Sequence, residues 1–202
     1  MSSTPNISIA ILAAGASKRM GSPKQLLKWK DSTLLKHAIK TCKNTLVKDV
    51  IVVLGANCQV IASEIKDEMI TVITNTSWEL GLGKSIGFAA EYVSTSKENS
   101  DGLMIVLADQ PYVTSSFLNI MIEAFNGTSK GIIATAYKAD KKGVPALFHK
   151  KYLMELAQLS GDDGAKSILK KYSSSVSVII PDFENIDIDT PQDYQQVSKP
   201  SA

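Results

Sequence analysis

Residues 9–27 read IAILAAGASKRMGSPKQLL, an apolar run that passes without a break into a loop punctuated by Gly15 and Gly21 and rich in positive charge. The run begins at Ile7 and reaches Leu12, with the continuous apolar character of a parallel strand buried on both faces. Gly15 and Gly21 let backbone approach a ligand where a side chain would block it, and successive N–H groups in such a turn form a concavity for anions. Between Ala16 and Lys30 stand Lys18, Arg19, Lys24, Lys28 and Lys30 with no acid among them. A polyanion arriving there would meet side-chain cations as well as amides, and a nucleoside triphosphate fits that description.

Outward from this stretch, short apolar runs alternate with amphipathic ones. Strands are expected at 7–12, 50–54, 71–74, 103–108 and 132–136, with helical patterns between them, which implies an α/β fold with a single doubly wound, mostly parallel sheet. Thr33 reads as an N-cap before Leu34, Leu35, Ala38 and Ile39, and Thr114 as the cap of a helix carrying Phe117, Leu118, Met121 and Ile122 at helical spacing. After Tyr137 come a Lys-rich turn, a strand over 144–148, a helix from about Lys150, a second helix opened by Asp162-Asp163-Gly164, and a strand-like region over 178–188. No internal repeat or long linker interrupts the chain. In an open parallel sheet, ligands bind outside the carboxyl ends of the strands. The basic loop, Asp109 after the strand 103–108, and Asp187 with Asp189 can therefore face one crevice.

The chain has 202 residues, 44% hydrophobic and 21% charged, enough for one sizeable core. A net charge of +2 speaks against a general nucleic-acid or membrane binder, because those surfaces need a clear basic excess. The charge is uneven: the segment from Tyr172 to Ser198 holds Asp182, Glu184, Asp187, Asp189 and Asp193 and neither Lys nor Arg. Cys42 and Cys58 fall in helical segments without metal-ligand spacing and read as packing residues. With a polar start at Met1 to Asn6 and no apolar run near the ~20 residues of a membrane helix, a cytoplasmic protein is expected. His37 and His149 have no partner spacing and read as surface or packing residues.

Asp109 follows the apolar run from Leu103 to Ala108, and Thr114 is a better helix cap, so the carboxylate reads as a Mg²⁺ ligand, with Mn²⁺ as a possible substitute. Asp187 and Asp189 are one residue apart and project to one face of an extended chain; two such carboxylates repel unless a cation lies between them. Asp189 could instead N-cap a helix starting at Thr190-Pro191. The stretch Gly81-Leu82-Gly83-Lys84-Ser85 invites a P-loop reading, but that motif needs glycine at position 78, where Trp78 stands. Gly81 and Gly83 are read as shaping a turn into a helix whose N-terminus meets phosphate, with Ser85 as a hydroxyl donor and Trp78 as core.

The opening loop resembles the signature of doubly wound nucleotidyltransferases, Leu-Ala-Ala-Gly-x-Ser-x-Arg-Met-Gly followed by Pro-Lys, and every fixed position is met from Leu12 to Lys24. The chain is most similar to the molybdenum cofactor cytidylyltransferase branch, through Leu107-Ala108-Asp109-Gln110-Pro111, Gly143-Val144-Pro145-Ala146-Leu147-Phe148, Gly161-Asp162-Asp163-Gly164-Ala165 and Asp187-Ile188-Asp189-Thr190-Pro191-Gln192-Asp193. The resemblance implies one nucleotidyltransferase domain over 1–202, with a nucleotide-binding half at about 7–112 and an acceptor-binding half at about 113–198. It implies transfer of CMP from CTP to the terminal phosphate of molybdopterin cofactor, and a molybdenum hydroxylase or its maturation factor as partner. Arg19, Lys24 and Asp109 would be catalytic; Leu12, Ala13, Ala14, Gly15, Ser17, Arg19, Lys24, Asn75, Gly81 and Ser85 would bind nucleotide; Asp109, Asp187 and Asp189 would hold the metal.

Ala14 stands where guanylyltransferase relatives carry a second glycine, so its methyl favours a pyrimidine. Many members carry His or Arg near Gly143, where this chain has Lys141 and Lys142; Lys142 is a candidate contact for an acceptor phosphate. Other readings are another nucleotide or phosphorylated acceptor, a non-catalytic carrier of the molybdenum cofactor, and a flavin or nicotinamide oxidoreductase. The last would want Gly-x-Gly-x-x-Gly after the first strand, and Gly15 to Gly21 does not supply it.

Overall fold

The computed structural model describes residues 4–126, 131–137, 141–184 and 186–197. Seven strands form one sheet in the order β5 (Thr71–Thr74), β4 (Asp49–Leu54), β1 (Ile7–Ala13), β6 (Gly102–Leu107), β8 (Lys142–His149), β7 (Ile132–Ala136) and β9 (Val176–Ile179). β1 is an interior strand, buried along its whole length, which is why it reads as an unbroken apolar run. It pairs in parallel with β4 and β6, while β4 pairs in parallel with β5 and β7 with β9. Only β8 runs against its neighbours β6 and β7. A tight connection explains that: the N–H of Tyr137 donates to the Lys141 carbonyl at 2.7 Å, too short a link for the crossover that parallel strands need. Most of the Lys-rich turn, residues 138–140, lies outside the described residues.

Helices cover both faces. Leu35, Ile39 and Cys42 of α1 (Leu34–Lys43) and Phe117, Leu118 and Met121 of α4 (Ser115–Asn126) pack on one side, with α2 (Cys58–Glu64) beside them. Ile86, Ala90 and Val93 of α3 (Leu82–Ser96), Leu156 of α5 (Leu153–Leu156) and Leu169 of α6 (Lys166–Lys171) pack on the other. The expected caps are present: Thr33 accepts from the Lys36 N–H at 3.3 Å and Thr114 from the Phe117 N–H at 3.1 Å. Among the described residues no helix is long and apolar enough to cross a membrane.

Three expected elements differ. The helix expected from Lys150 is a 3₁₀ turn over 150–152 followed by the four residues of α5. The helix expected from Asp162 begins only at Lys166, because Gly161 and Gly164 take positive φ of 76° and 58° and make a turn first. The strand-like region 178–188 is a strand only to Ile179. Pro181, which has no N–H to give a ladder, follows, and the chain continues as an irregular strap to α7 (Pro191–Val197). That strap is anchored at Ile188, fully buried with Trp29 and Leu34, whose N–H donates to the Asp109 carbonyl at 3.0 Å.

Candidate active site

β1 and β6 end side by side, and the loops that leave them line a cleft of about 890 Å³. The loop after β1 is set by Gln25, a side chain that composition and motif gave no reason to single out. It is only 2% exposed. Its amide donates to the carbonyls of Ala13 at 2.8 Å and Gly15 at 2.9 Å, pinning the loop back onto the strand that launches it. Ser17 turns the chain at φ 53°, a left-handed conformation uncommon outside glycine. Its hydroxyl accepts from the Lys24 N–H at 3.0 Å, and so ties the two ends of the loop together.

Leu12, Ala13, Ala14, Gly15, Ser17, Arg19 and Lys24 all line the cleft, as do Gly81, Ser85, Asp109, Asp187 and Asp189. Lys28 and Lys30 do not, because the chain between them enters a two-stranded hairpin, β2 (Lys28–Trp29) and β3 (Ser32–Thr33). Asn75 stands behind the lining: it is 1% exposed, accepts from the Ser77 N–H at 2.9 Å and donates to the Ser85 hydroxyl at 3.2 Å. Trp78, expected in the core, is half-buried and forms part of the cleft wall. One amide at the N-terminus of α3 is already engaged, since the Gly83 N–H is donated to the Gly161 carbonyl at 2.8 Å, while Gly81, Leu82 and Ser85 face the cleft. A Cβ on Gly83 would lie 2.6 Å from the Ser160 carbonyl oxygen, so Gly83 serves a close backbone approach. Gly55 does likewise beneath the base of the cleft, where a Cβ would lie 2.8 Å from the Ala14 Cβ and 2.6 Å from that of Trp78.

The carboxylates and the cations face one another. The Lys24 ammonium bonds Asp109 and also Asp189, the latter at 3.0 Å, and Arg19 Nη2 pairs with Asp189 at 3.0 Å. Burial disfavours the charge on Lys24, but Asp109 and Asp189 outweigh it and raise the ammonium above its ordinary 10.5. Burial also works against Asp189, yet Lys24 and Arg19 hold its carboxyl below 3.8. Among the described residues no cation pairs directly with Asp187, although the Lys24 charge favours its ionised form weakly. Desolvation, and then the charges of Asp109 and Asp189, push its carboxyl above 3.8, against a 2.8 Å bond from Gln110 Nε2.

Asp189 is not the helix cap. Thr190 takes that role, accepting from the Asp193 N–H at 3.2 Å while the Asp193 carboxylate accepts from the N–H groups of Thr190 and Asp189 at 2.7 and 3.1 Å. This reciprocal cap leaves the Asp189 side chain free to enter the cleft.

Asp109 Oδ1 is buried with no hydrogen-bond partner among the described residues. A buried carboxylate oxygen with spare lone pairs suits a hard divalent cation, and Asp187 and Asp189 offer the same donor type. Among the described residues, no group of three or more His, Cys, Asp or Glu is gathered closely enough to hold a metal ion. Lys24 stands between two of the three carboxylates instead. A second, smaller cavity of about 240 Å³ adjoins the cleft through Leu82, Leu107 and Asp187, with Lys141, Lys142 and Lys166 on its lining.

Residues 9–176 match the family model described as the MobA-like NTP transferase domain. The chain belongs to that family. A relative named nicotine blue oxidoreductase, from Paenarthrobacter nicotinovorans, is 27% identical over 197 residues, covering 92% of this chain and 93% of the relative. A relative named probable molybdenum cofactor guanylyltransferase, from Bacillus mycoides, is 25% identical over 202 residues, covering 94% of each chain. The crystal structure of Rv0371c from Mycobacterium tuberculosis H37Rv superposes with a TM-score of 0.83 at 26% identity, covering 96% of this chain and 98% of that one. A structure of the same protein in complex with manganese gives a TM-score of 0.79 at 26% identity, covering 95% and 97%.

Proposed function

We propose that this protein transfers CMP from CTP to the terminal phosphate of molybdopterin cofactor and releases pyrophosphate. The observation that carries the reading is the meeting of Arg19 and Lys24 with Asp109, Asp187 and Asp189 in one cleft that opens onto a second cavity rimmed by lysines. Nucleotidyl transfer asks little of a protein beyond position and charge. Arg19 offers a planar fork and Lys24 a point charge for the β- and γ-phosphates of the leaving pyrophosphate. Asp109, Asp187 and Asp189 are the residues that would hold Mg²⁺ or Mn²⁺, which when bound supplies positive charge for the phosphate oxygens. The acceptor phosphate would lie toward Lys142, and it needs no general base because it is already ionised near neutral pH. A molybdenum hydroxylase or its maturation factor would receive the product.

CTP is preferred over GTP in this reading because Ala14 narrows the base end of the cleft, and Gly55 beneath it gives that methyl room. Size exclusion of this kind is worth about 1–3 kcal/mol. The test is calorimetric titration with CTP, GTP and ATP in Mg²⁺, using the wild type, Ala14→Gly and Asp109→Ala. Selective CTP binding, relaxed toward GTP in the first variant and stripped of metal dependence in the second, supports the assignment. Tighter GTP binding by the wild type would keep the chemistry and overturn the base. Binding of a reduced pyridine nucleotide with no triphosphate binding would instead favour an oxidoreductase, the class named in one relative.

A further inference from the structure

Asp187 lines both the cleft and the smaller cavity, whereas Gln110 lines only the cavity and so holds Asp187 from that side. Gln110 is 4% exposed. Its Nε2 donates to Asp187 Oδ1 at 2.8 Å and to the Tyr137 hydroxyl at 2.9 Å, with the Val144 carbonyl at 3.4 Å. The Tyr137 hydroxyl donates its own proton to the Val144 carbonyl, which leaves its oxygen to accept from the amide. Reversing the amide would set Oε1 against an ionised Asp187 and the Val144 carbonyl, neither of which has a proton to give. The orientation is thereby fixed, and it leaves Gln110 Oε1 buried without a hydrogen-bond partner among the described residues. A glutamine kept only for packing gains nothing from this, because methionine fills the same space with no buried polar atom to satisfy.

We infer that Gln110 is a positioning residue for Asp187, fixing one carboxylate oxygen from the smaller cavity so that the carboxylate is presented to the cleft. This rests on the nucleotidyltransferase reading, in which Asp187 is one of the carboxylates that would hold the divalent cation, and adds to it the group that sets that carboxylate in place. Asp109 and Asp189 are each held by Lys24, and Asp189 by Arg19 as well. The one hydrogen bond on the Asp187 carboxylate among the described residues comes instead from a neutral amide. It orients the group without cancelling its charge. Asp187 needs such support because it sits on the irregular strap, with no helix or strand around it. Gln110 follows Asp109 directly and is itself held in a turn, its carbonyl accepting from the Val113 N–H at 3.3 Å. Two adjacent residues thus supply one carboxylate and the support of another, and hydrogen-bonding partners of this kind govern metal affinity by orienting the ligand.

The experiment titrates MnCl₂ alone, with free Mn²⁺ followed by electron paramagnetic resonance, into the wild type, Gln110→Met, Gln110→Leu, Asp187→Ala and the double variant of Gln110→Met with Asp187→Ala. Gln110→Met should weaken Mn²⁺ binding by about tenfold or more. Gln110→Leu removes the same donor and takes its place should the methionine variant fail to fold. The double variant should bind Mn²⁺ within about threefold of Asp187→Ala, because the amide then has no carboxylate to place. A glutamine that only stabilised the fold would cost the same factor in both backgrounds. The inference is overturned if the wild type binds no Mn²⁺, if the Gln110 variants bind it as tightly as the wild type does, or if the double variant loses as much against Asp187→Ala as Gln110→Met loses against the wild type. Failure of the transferase reading looks different: no nucleoside triphosphate binds the wild type in Mg²⁺, while the Mn²⁺ comparison still reports on Gln110.

Discussion

Replacing Gln25 tests whether the loop after β1 is held by one buried amide. In Gln25→Ala the buried carbonyl of Ala13 and the cleft-facing carbonyl of Gly15 lose bonds of 2.8 and 2.9 Å. Two lost bonds at roughly 1 kcal/mol each, with a further penalty where a carbonyl stays unpaired, give about 2–4 kcal/mol. For a chain of this size that is a melting-temperature drop of roughly 5–15 °C. Gln25→Glu is the sharper probe. Its carboxylate is acceptor-only and would face two carbonyl oxygens, so at pH 7.5 it should destabilise more than alanine does. Burial raises the folded-state pKa of that new carboxyl above its unfolded value near 4.3, so the folded state binds the extra proton and stability relative to the wild type recovers as pH falls. Urea unfolding at pH 7.5 and 5.5, each variant against the wild type at the same pH, measures this. A Glu variant as stable as the wild type at pH 7.5, or one whose deficit grows at pH 5.5, would refute the pinning role.

Three other changes separate function from stability. Asp187→Asn should raise the melting temperature at pH 7.5, because it removes a carboxylate whose ionised form is disfavoured in the folded state while keeping the oxygen that Gln110 bonds; the gain should shrink toward pH 4, where aspartate is itself becoming neutral, and scanning calorimetry at the two pH values measures it. Asp193→Ala removes half of the reciprocal cap on α7 and should cost about 1 kcal/mol in urea unfolding, with weaker metal-dependent CTP binding as Asp189 loses its backbone support. Gly83→Ala places a methyl 2.6 Å from the Ser160 carbonyl oxygen, and an overpacking cost of about 1–3 kcal/mol should exceed the gain in helix propensity of about 1 kcal/mol; equilibrium unfolding would contradict this if the variant were more stable.

The strands were legible because a run buried on both faces has no polar positions to blur it, as in Ile7–Ala13 and Gly102–Leu107. The loop residues were legible because their glycines and cations recur together. What escaped was anything decided by a partner distant in sequence. Nothing local marks Gln25 as buried rather than solvated, and Gly55 looks like an ordinary turn glycine until Ala14 and Trp78 close over it. The Gly161 carbonyl that takes the Gly83 N–H also lies far along the chain, and nothing near Gly83 announces it.

The strap anchored by Ile188 also fixes when the cleft can first be complete. Lys24 and Asp189 are 165 residues apart, and Asp109 receives its backbone bond from Ile188. A nascent chain that has emerged only as far as residue 180 holds the loop after β1 and every strand of the sheet, yet it has neither Asp187 nor Asp189. Synthesis runs from the N-terminus, so such a fragment has Lys24 and Asp109 without the strap. The cleft is therefore complete only once the strap has docked, and the Lys24–Asp189 pair becomes a report on completed folding.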